Sequence, residues 1–184
     1  FIVQLFVIPA MIVAVVVVVW LLFGKLTGGE RDAMSYVQTI KSPSANWRAA
    51  FELTTLIQND PKLAKDSKLL GELADLLEQD LKRATDAKLL QYLALTLGTF
   101  QTLDAKTEAG RKVDVIDVLD QALAENQPSE VRIAAAAGLA KHAARLEGKL
   151  DDVRAIKALT ATKSSDAAEL RKIAAYALGF FGGD

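Results

Sequence analysis

VRIAAAAGLA, residues Val131 to Ala140, is the clearest copy of a pattern that recurs along this chain of 184 residues. Related stretches are LRKIAAYALG from Leu170, LLQYLALTLG from Leu89 and WRAAFELTTL from Trp47, so the copies start 39 or 42 residues apart. Repeats of about 40 residues are typical of stacked helical units. Four copies therefore predict an all-α chain built from four helix pairs.

The segments between these copies also have helical periodicity. Leucines recur at helical spacing from Leu69 to Leu81, as do aliphatic residues from Val115 to Leu123, and no stretch alternates with period two. Acidic residues fall between the apolar ones, and we expect them on the solvent side of these first helices. They are Glu72, Asp75, Glu78 and Asp80 in one segment, and Asp114, Asp117, Asp120 and Glu125 in the other.

Composition excludes several classes of protein. The chain is 51% hydrophobic and carries a formal net charge of -1, which is typical of neither a disordered chain nor a basic nucleic-acid binder. It contains no cysteine, so disulfides, thiolate metal sites and cysteine nucleophiles are excluded.

The first 23 residues have the composition of a membrane span. Gln4 is the only polar residue between Phe1 and Phe23, and a helix of this length measures roughly 34 Å, against about 30 Å for the hydrocarbon core of a bilayer. A cleaved signal peptide and a buried core helix are the alternatives, although the apolar run is longer than a signal peptide needs. We predict a transmembrane helix over residues 1–25, with Trp20, Phe23 and Lys25 at the membrane interface.

A short linker, residues 26–30, follows the predicted span and keeps the helical domain of residues 31–184 close to the bilayer. Lys25, Arg31 and Lys41 lie within about 20 residues of the span, and under the positive-inside rule they favour a cytoplasmic domain. The prediction is a single-pass membrane protein.

PSEVRIAAAAGLA and AELRKIAAYALG resemble the second helix of HEAT repeats, which typically reads as a turn residue, Val-Arg, a pair of Ala and Leu-Gly. The second copy keeps Leu97-Gly98 but has Leu90 in the Arg position, and the first keeps Trp47-Arg48 but has Glu52 and Thr55 at small and leucine positions. The resemblance covers about residues 31–181. It implies an α-solenoid, and it implies that Arg48, Arg132 and Arg171 bond a nearby acid or turn carbonyl.

The resemblance also implies that the second helices line a concave face, which would be mildly basic. An array that ends after the fourth second helix would further expose apolar residues to a neighbouring subunit or to the membrane. These two arguments give the candidate partner-binding residues Arg132, Lys141, Arg145, Lys172, Phe180 and Phe181.

The sequence offers no constellation for catalysis. His142 is the only histidine, and we expect it on the surface or the rim of the fold. Asp151 and Asp152 are adjacent at the start of a predicted helix, so their side chains point in different directions. Neither Gly-Gly pair is followed by the residues of a phosphate loop. We expect no enzyme activity, cofactor, metal, small-molecule substrate or nucleic acid. The predicted function is a membrane-anchored non-catalytic scaffold or adaptor, an accessory subunit of a membrane protein complex. The alternative is a ligand-binding or lyase-type module that uses the concave face.

Membrane extraction tests the predicted anchor. Because residues 5–23 carry no charge, the full chain should stay in the membrane pellet after high-salt and carbonate washes and dissolve only in detergent. The matched control is the chain without residues 1–25, which should be released without detergent. Release of the full chain by carbonate would contradict the prediction.

Overall fold

The computed structural model describes residues 13–18, 29–42, 47–83, 85–146, 149–150, 152–162 and 167–181. Residues 13–18 are helical, and eight further helices follow within these ranges. They are α1 (Gly29–Lys41), α2 (Trp47–Asn59), α3 (Ser67–Arg83), α4 (Ala87–Leu97), α5 (Val115–Ala122), α6 (Ser129–Leu146), α7 (Val153–Thr162) and α8 (Ala168–Leu178), with one 3₁₀ turn at Leu63–Lys65.

Successive helices form pairs, and the pairs stack in two layers. α1 contacts α2, α3 contacts α4, α5 contacts α6 and α7 contacts α8. Each even-numbered helix also contacts the next even-numbered one, and each odd-numbered helix contacts the next odd-numbered one. The described part of the chain contains no strand, only an isolated antiparallel bridge between Lys106 and Lys112. The all-α prediction is therefore confirmed for these ranges, and the arrangement is compatible with an α-solenoid.

Burial corrects the alignment of the first repeat. The buried positions of α2 are Ala49, Ala50, Leu53, Thr54 and Ile57, and five buried positions of α4 correspond to them, Leu89, Leu90, Leu93, Ala94 and Leu97, with Thr96 as one further buried residue. The two sets match at a spacing of 40, not the 42 inferred from the sequence. In this register Glu52 and Thr55 fall on the exposed side of α2, which explains why they did not fit core positions.

Small residues bring α4 and α6 into close contact. A Cβ atom built on Gly98 would lie 2.7 Å from Cα of Gly138, and one built on Gly138 would lie 3.3 Å from the carbonyl oxygen of Ala94. Leu97 and Leu139 are fully buried beside these glycines. Backbone meets backbone at Gly98, so this glycine cannot gain a methyl group unless the helices separate, whereas at Gly138 a methyl group would require only a small shift of its neighbour.

The longest connection, between α4 and α5, lies against α3. The amide of Lys106 donates to the carbonyl of Ser67 over 2.9 Å. A Cβ atom on Gly71 would lie 2.2 Å from the carbonyl carbon of Lys106, so only glycine admits the connection here. Arg111, at the tip of this connection, pairs with Asp75 and Glu78 of α3. The second and third helix pairs are thus joined through their connection as well as through their helices.

The predicted membrane span lies mostly outside the described residues. Of residues 1–25 the structure describes 13–18, a helical stretch with exposed valine side chains. Over the described ranges, no helix combines the length and the apolar composition that crossing a bilayer requires. The predicted linker 26–30 overlaps the start of α1 at Gly29.

Substitution of Gly98 tests the close approach of α4 and α6. Gly98→Ala places a methyl group against backbone that cannot rotate away, and overpacking of this kind costs about 1–3 kcal/mol. Gly179→Ala is the matched control, because Gly179 also follows a helix in right-handed conformation and its Cβ would meet only the Tyr176 carbonyl, at 3.3 Å. Thermal unfolding should show a lower Tm for Gly98→Ala and little change for Gly179→Ala. Equal Tm values would contradict the packing.

Candidate functional site

Two of the six residues predicted to bind a partner, Lys141 and Lys172, are exposed on the outer surface of the even-numbered helices. α2 and α8 each bury one side and expose the other, whereas α4 exposes only Lys88 and α6 only Ser129, Glu130 and Lys141. The exposed charges are mixed, with more bases than acids: Arg48, Lys88, Lys141, Arg171 and Lys172 against Glu52, Glu130 and Glu169. This surface therefore carries a small excess of positive charge.

An aromatic cluster occupies this surface where α2 meets α4. The rings of Trp47 and Tyr92 stack with centroids 5.4 Å apart, and Phe51 meets Tyr92 edge-on at 5.7 Å. Phe51 remains 49% exposed. Lys88 holds its Nζ atom 4.1 Å from the Trp47 ring centroid, a cation–π contact. The cluster combines rigid apolar surface with positive charge.

Sequence reasoning missed this aromatic cluster. Trp47 and Phe51 are four residues apart and share a helix face, which was a signal available in the sequence. Tyr92 joins them only because α4 packs on α2, and no spacing in the sequence indicates that contact.

Two of the predicted partner-binding arginines are engaged within the fold. The Nε atom of Arg132 donates to the carbonyl of Leu123 over 3.0 Å, at the end of α5. This is the turn-carbonyl contact that the HEAT resemblance implied for Arg132. Arg145 donates to the carbonyl of Phe100 and, over 2.9 Å, to Nδ1 of His142. Both guanidinium groups therefore satisfy carbonyls at connections between helices, where backbone groups lack helical partners.

His142 is fully buried, so its expected position at the surface or rim was wrong. Arginine has only donors, so Nδ1 of His142 accepts from Arg145 and its Nε2–H donates to the carbonyl of Leu97 over 2.9 Å. Burial, together with the positive charges of Arg145 and Lys141, lowers the pKa of His142 to about 4. A neutral imidazole held in this way has a structural role between α6 and the end of α4.

The remaining predicted residues divide between surface and core. Lys141 is exposed, and Lys172 is exposed with its Nζ atom 4.0 Å from a carboxylate oxygen of Glu169. Phe180 is half-buried and meets the 65% exposed Tyr176 edge-on, with centroids 4.8 Å apart. Phe181 is buried and belongs to the core, so the described fold does not leave it open to a partner. Trp20, Phe23 and Lys25 lie outside the described residues.

Several acids of the odd-numbered helices are not on the solvent side where they were expected. Glu72 is buried and accepts from Lys41 and from the amide of Glu108; burial would raise its pKa, but these hydrogen bonds lower it. Asp80 is also buried. Both carboxylate oxygens of Asp120 are inaccessible and have no hydrogen-bond partner among the described residues, and burial with nearby Asp152 raises the pKa of Asp120 to about 7.

The arrangement resembles no metal centre: within the described residues, no group of three or more histidine or acidic side chains could hold a metal ion. Comparison of the chain with known protein families, with curated proteins and with solved structures finds no match. The chemistry of the surface itself must therefore carry the functional argument.

The titration of His142 gives a prediction about stability. Its pKa is about 4 in the folded chain against about 6.5 in the unfolded chain. Neutral His142 therefore stabilises the fold above pH 6.5, and this contribution of about 3 kcal/mol is lost as pH falls through 4. His142→Gln cannot titrate, so the loss of stability between pH 6.5 and 4 should be smaller in this variant.

Chemical denaturation at several pH values measures the difference between the two proteins. His142→Ala should in addition lower the free energy of unfolding at pH 7 by about 1–3 kcal/mol, because the Leu97 carbonyl and one guanidinium nitrogen of Arg145 lose their hydrogen bonds to the imidazole. Identical pH profiles for the wild type and His142→Gln would rule out the proposed contribution.

Proposed function

We propose that the chain is a non-catalytic scaffold or adaptor, held at a membrane by its N-terminal apolar segment and built as an α-solenoid of four HEAT-like helix pairs. Its soluble part binds a partner protein of the same membrane complex on the outer surface of the even-numbered helices. The flanking bases Lys25, Arg31 and Lys41 favour a cytoplasmic position for this part.

The aromatic cluster of Trp47, Phe51 and Tyr92 carries this proposal. Aromatic residues are enriched at protein interfaces and dominate their binding energy when a partner covers them. Phe51 exposes half of its surface to solvent, while its contact with Tyr92 restrains the ring. A partner would gain apolar burial here without having to order a mobile side chain.

The charges around the cluster indicate what kind of segment fits. The Nζ atom of Lys88 lies over the Trp47 ring, and the Cζ atom of Arg48 lies 5.6 Å from the centroid of the same ring. Further along the same layer, Lys141 and Lys172 are exposed. An amphipathic helix or loop with apolar residues and several carboxylates would match the aromatic rings and the bases together.

Co-purification from gently solubilised membranes tests the proposal. Phe51→Ser removes the exposed ring with little loss of core packing, so the variant should keep its Tm but lose the proteins that co-purify with the wild type. Val153→Ser is the matched control, because Val153 is 74% exposed on α7 of the other layer. This variant should retain the same proteins. Retention of all of them by Phe51→Ser would contradict the assigned surface.

A further inference from the structure

A cleft of about 700 Å³ opens between the end of α1, the outer side of α3 and the start of α4. None of the residues of the aromatic cluster lines it. Ile40, Leu76 and Leu89 provide its apolar lining, and its volume lies in the range of small-molecule sites, about 300–1,000 Å³.

Asp80 is the unusual residue of this cleft. Asp80 lines the cleft although only 6% of its surface is exposed. No described residue donates a hydrogen bond to its carboxylate, and the nearby Arg83 acts on it only through its charge. A buried carboxylate without a partner is costly, and such groups are normally paired or bound to a ligand.

The other acids of the cleft already have partners. Asp75 accepts from Gln79 over 2.9 Å and pairs with Arg111, and Asp86 accepts from the amide of Lys88 over 3.0 Å. Lys41, at the rim, pairs with Glu72. Among the acids that line this cleft, Asp80 is therefore the one whose carboxylate receives no hydrogen bond or ion pair from the described residues.

We propose that the cleft binds an organic cation, whose ammonium or guanidinium group bonds to Asp80 while a short apolar stem lies against Ile40, Leu76 and Leu89. A charge-assisted hydrogen bond fixes the cationic end, and burial of the stem supplies apolar contact. A free alkylamine and the side chain of a lysine or arginine on a partner share this chemistry.

Butylammonium is the probe, because it reproduces the end of a lysine side chain. The full chain in detergent is titrated with it and, separately, with the neutral analogue butanol, and binding is followed by ligand-observed NMR. Butylammonium should bind more tightly than butanol. Equal affinities would overturn the proposal, since the site would then recognise only the apolar stem.

Asp80→Asn keeps the shape of the side chain and removes its charge, and it should weaken butylammonium binding about tenfold or more, as expected for a lost hydrogen bond to a charged group. The variant should fold with an unchanged or higher Tm, because it also removes an unpaired buried charge. Asp75→Asn is the control on the same helix. It should alter affinity by less than about threefold, since the Asp75 carboxylate is already occupied. Unchanged binding by Asp80→Asn, or equal losses in both variants, would refute the role of Asp80.

The pH dependence of butylammonium binding to the wild type tests the role of Asp80 without depending on how the variants fold. Burial raises the pKa of Asp80, against a smaller opposing effect of Arg83. The other charged residues that line the cleft are Asp75 and Arg83 on the same helix, Lys41 at the end of α1 and Asp86 before α4. Butylammonium affinity should fall as pH decreases and Asp80 becomes neutral; an affinity independent of pH would contradict the proposal.

A short alanine-based peptide with a single lysine distinguishes the two sources of the cation. Tighter binding of free butylammonium would identify a small amine as the ligand, whereas tighter binding of the peptide would identify a basic side chain of a partner. Either result must disappear in Asp80→Asn for the proposal to stand.

Discussion

Close packing of the even-numbered helices is the constraint on which the rest of this structure depends. Gly98 and Gly138 let α4 and α6 approach until their backbones are in contact. The alanines of α6 have small side chains, which also lets α8 pack closely against this helix. Interiors at crystal-like density leave no room for added volume at such contacts. The spacing of the helix pairs, and with it the outline of both layers, follows from these small side chains.

Backbone carbonyls at the ends of the helices lack helical partners, and side chains of neighbouring helices donate hydrogen bonds to them. His142 and Arg145 extend from α6 to the carbonyls of Leu97 and Phe100, and Arg132 reaches the carbonyl of Leu123. Side chains of one helix thus donate hydrogen bonds to backbone carbonyls of the connections beside it. The single histidine and two of the basic residues on α6 therefore serve the fold, although Arg132 and Arg145 were also predicted to bind a partner.

The two layers leave different surfaces to solvent. The even-numbered helices present aromatic rings and bases, a combination that suits a protein partner, whereas the cleft beside α3 presents one unpaired carboxylate above an apolar lining. The proposals are independent, because they use opposite charges and different residues. Together with the apolar N-terminal segment, they describe a scaffold that would place a partner and a cationic group close to a membrane.

The sequence by itself determined that the chain is helical, that the helices come in pairs and which helix of each pair carries small side chains. Periodicity and side-chain size are local properties of the chain. Tertiary structure decided the register of α2, which differs by two residues from the sequence alignment, since burial depends on the neighbouring helix. The burial of His142, Asp80 and Phe181 was likewise decided only by the tertiary structure. It also brought Tyr92 onto Trp47. Such contacts join residues far apart in the chain, and spacing along a single helix carries no information about them.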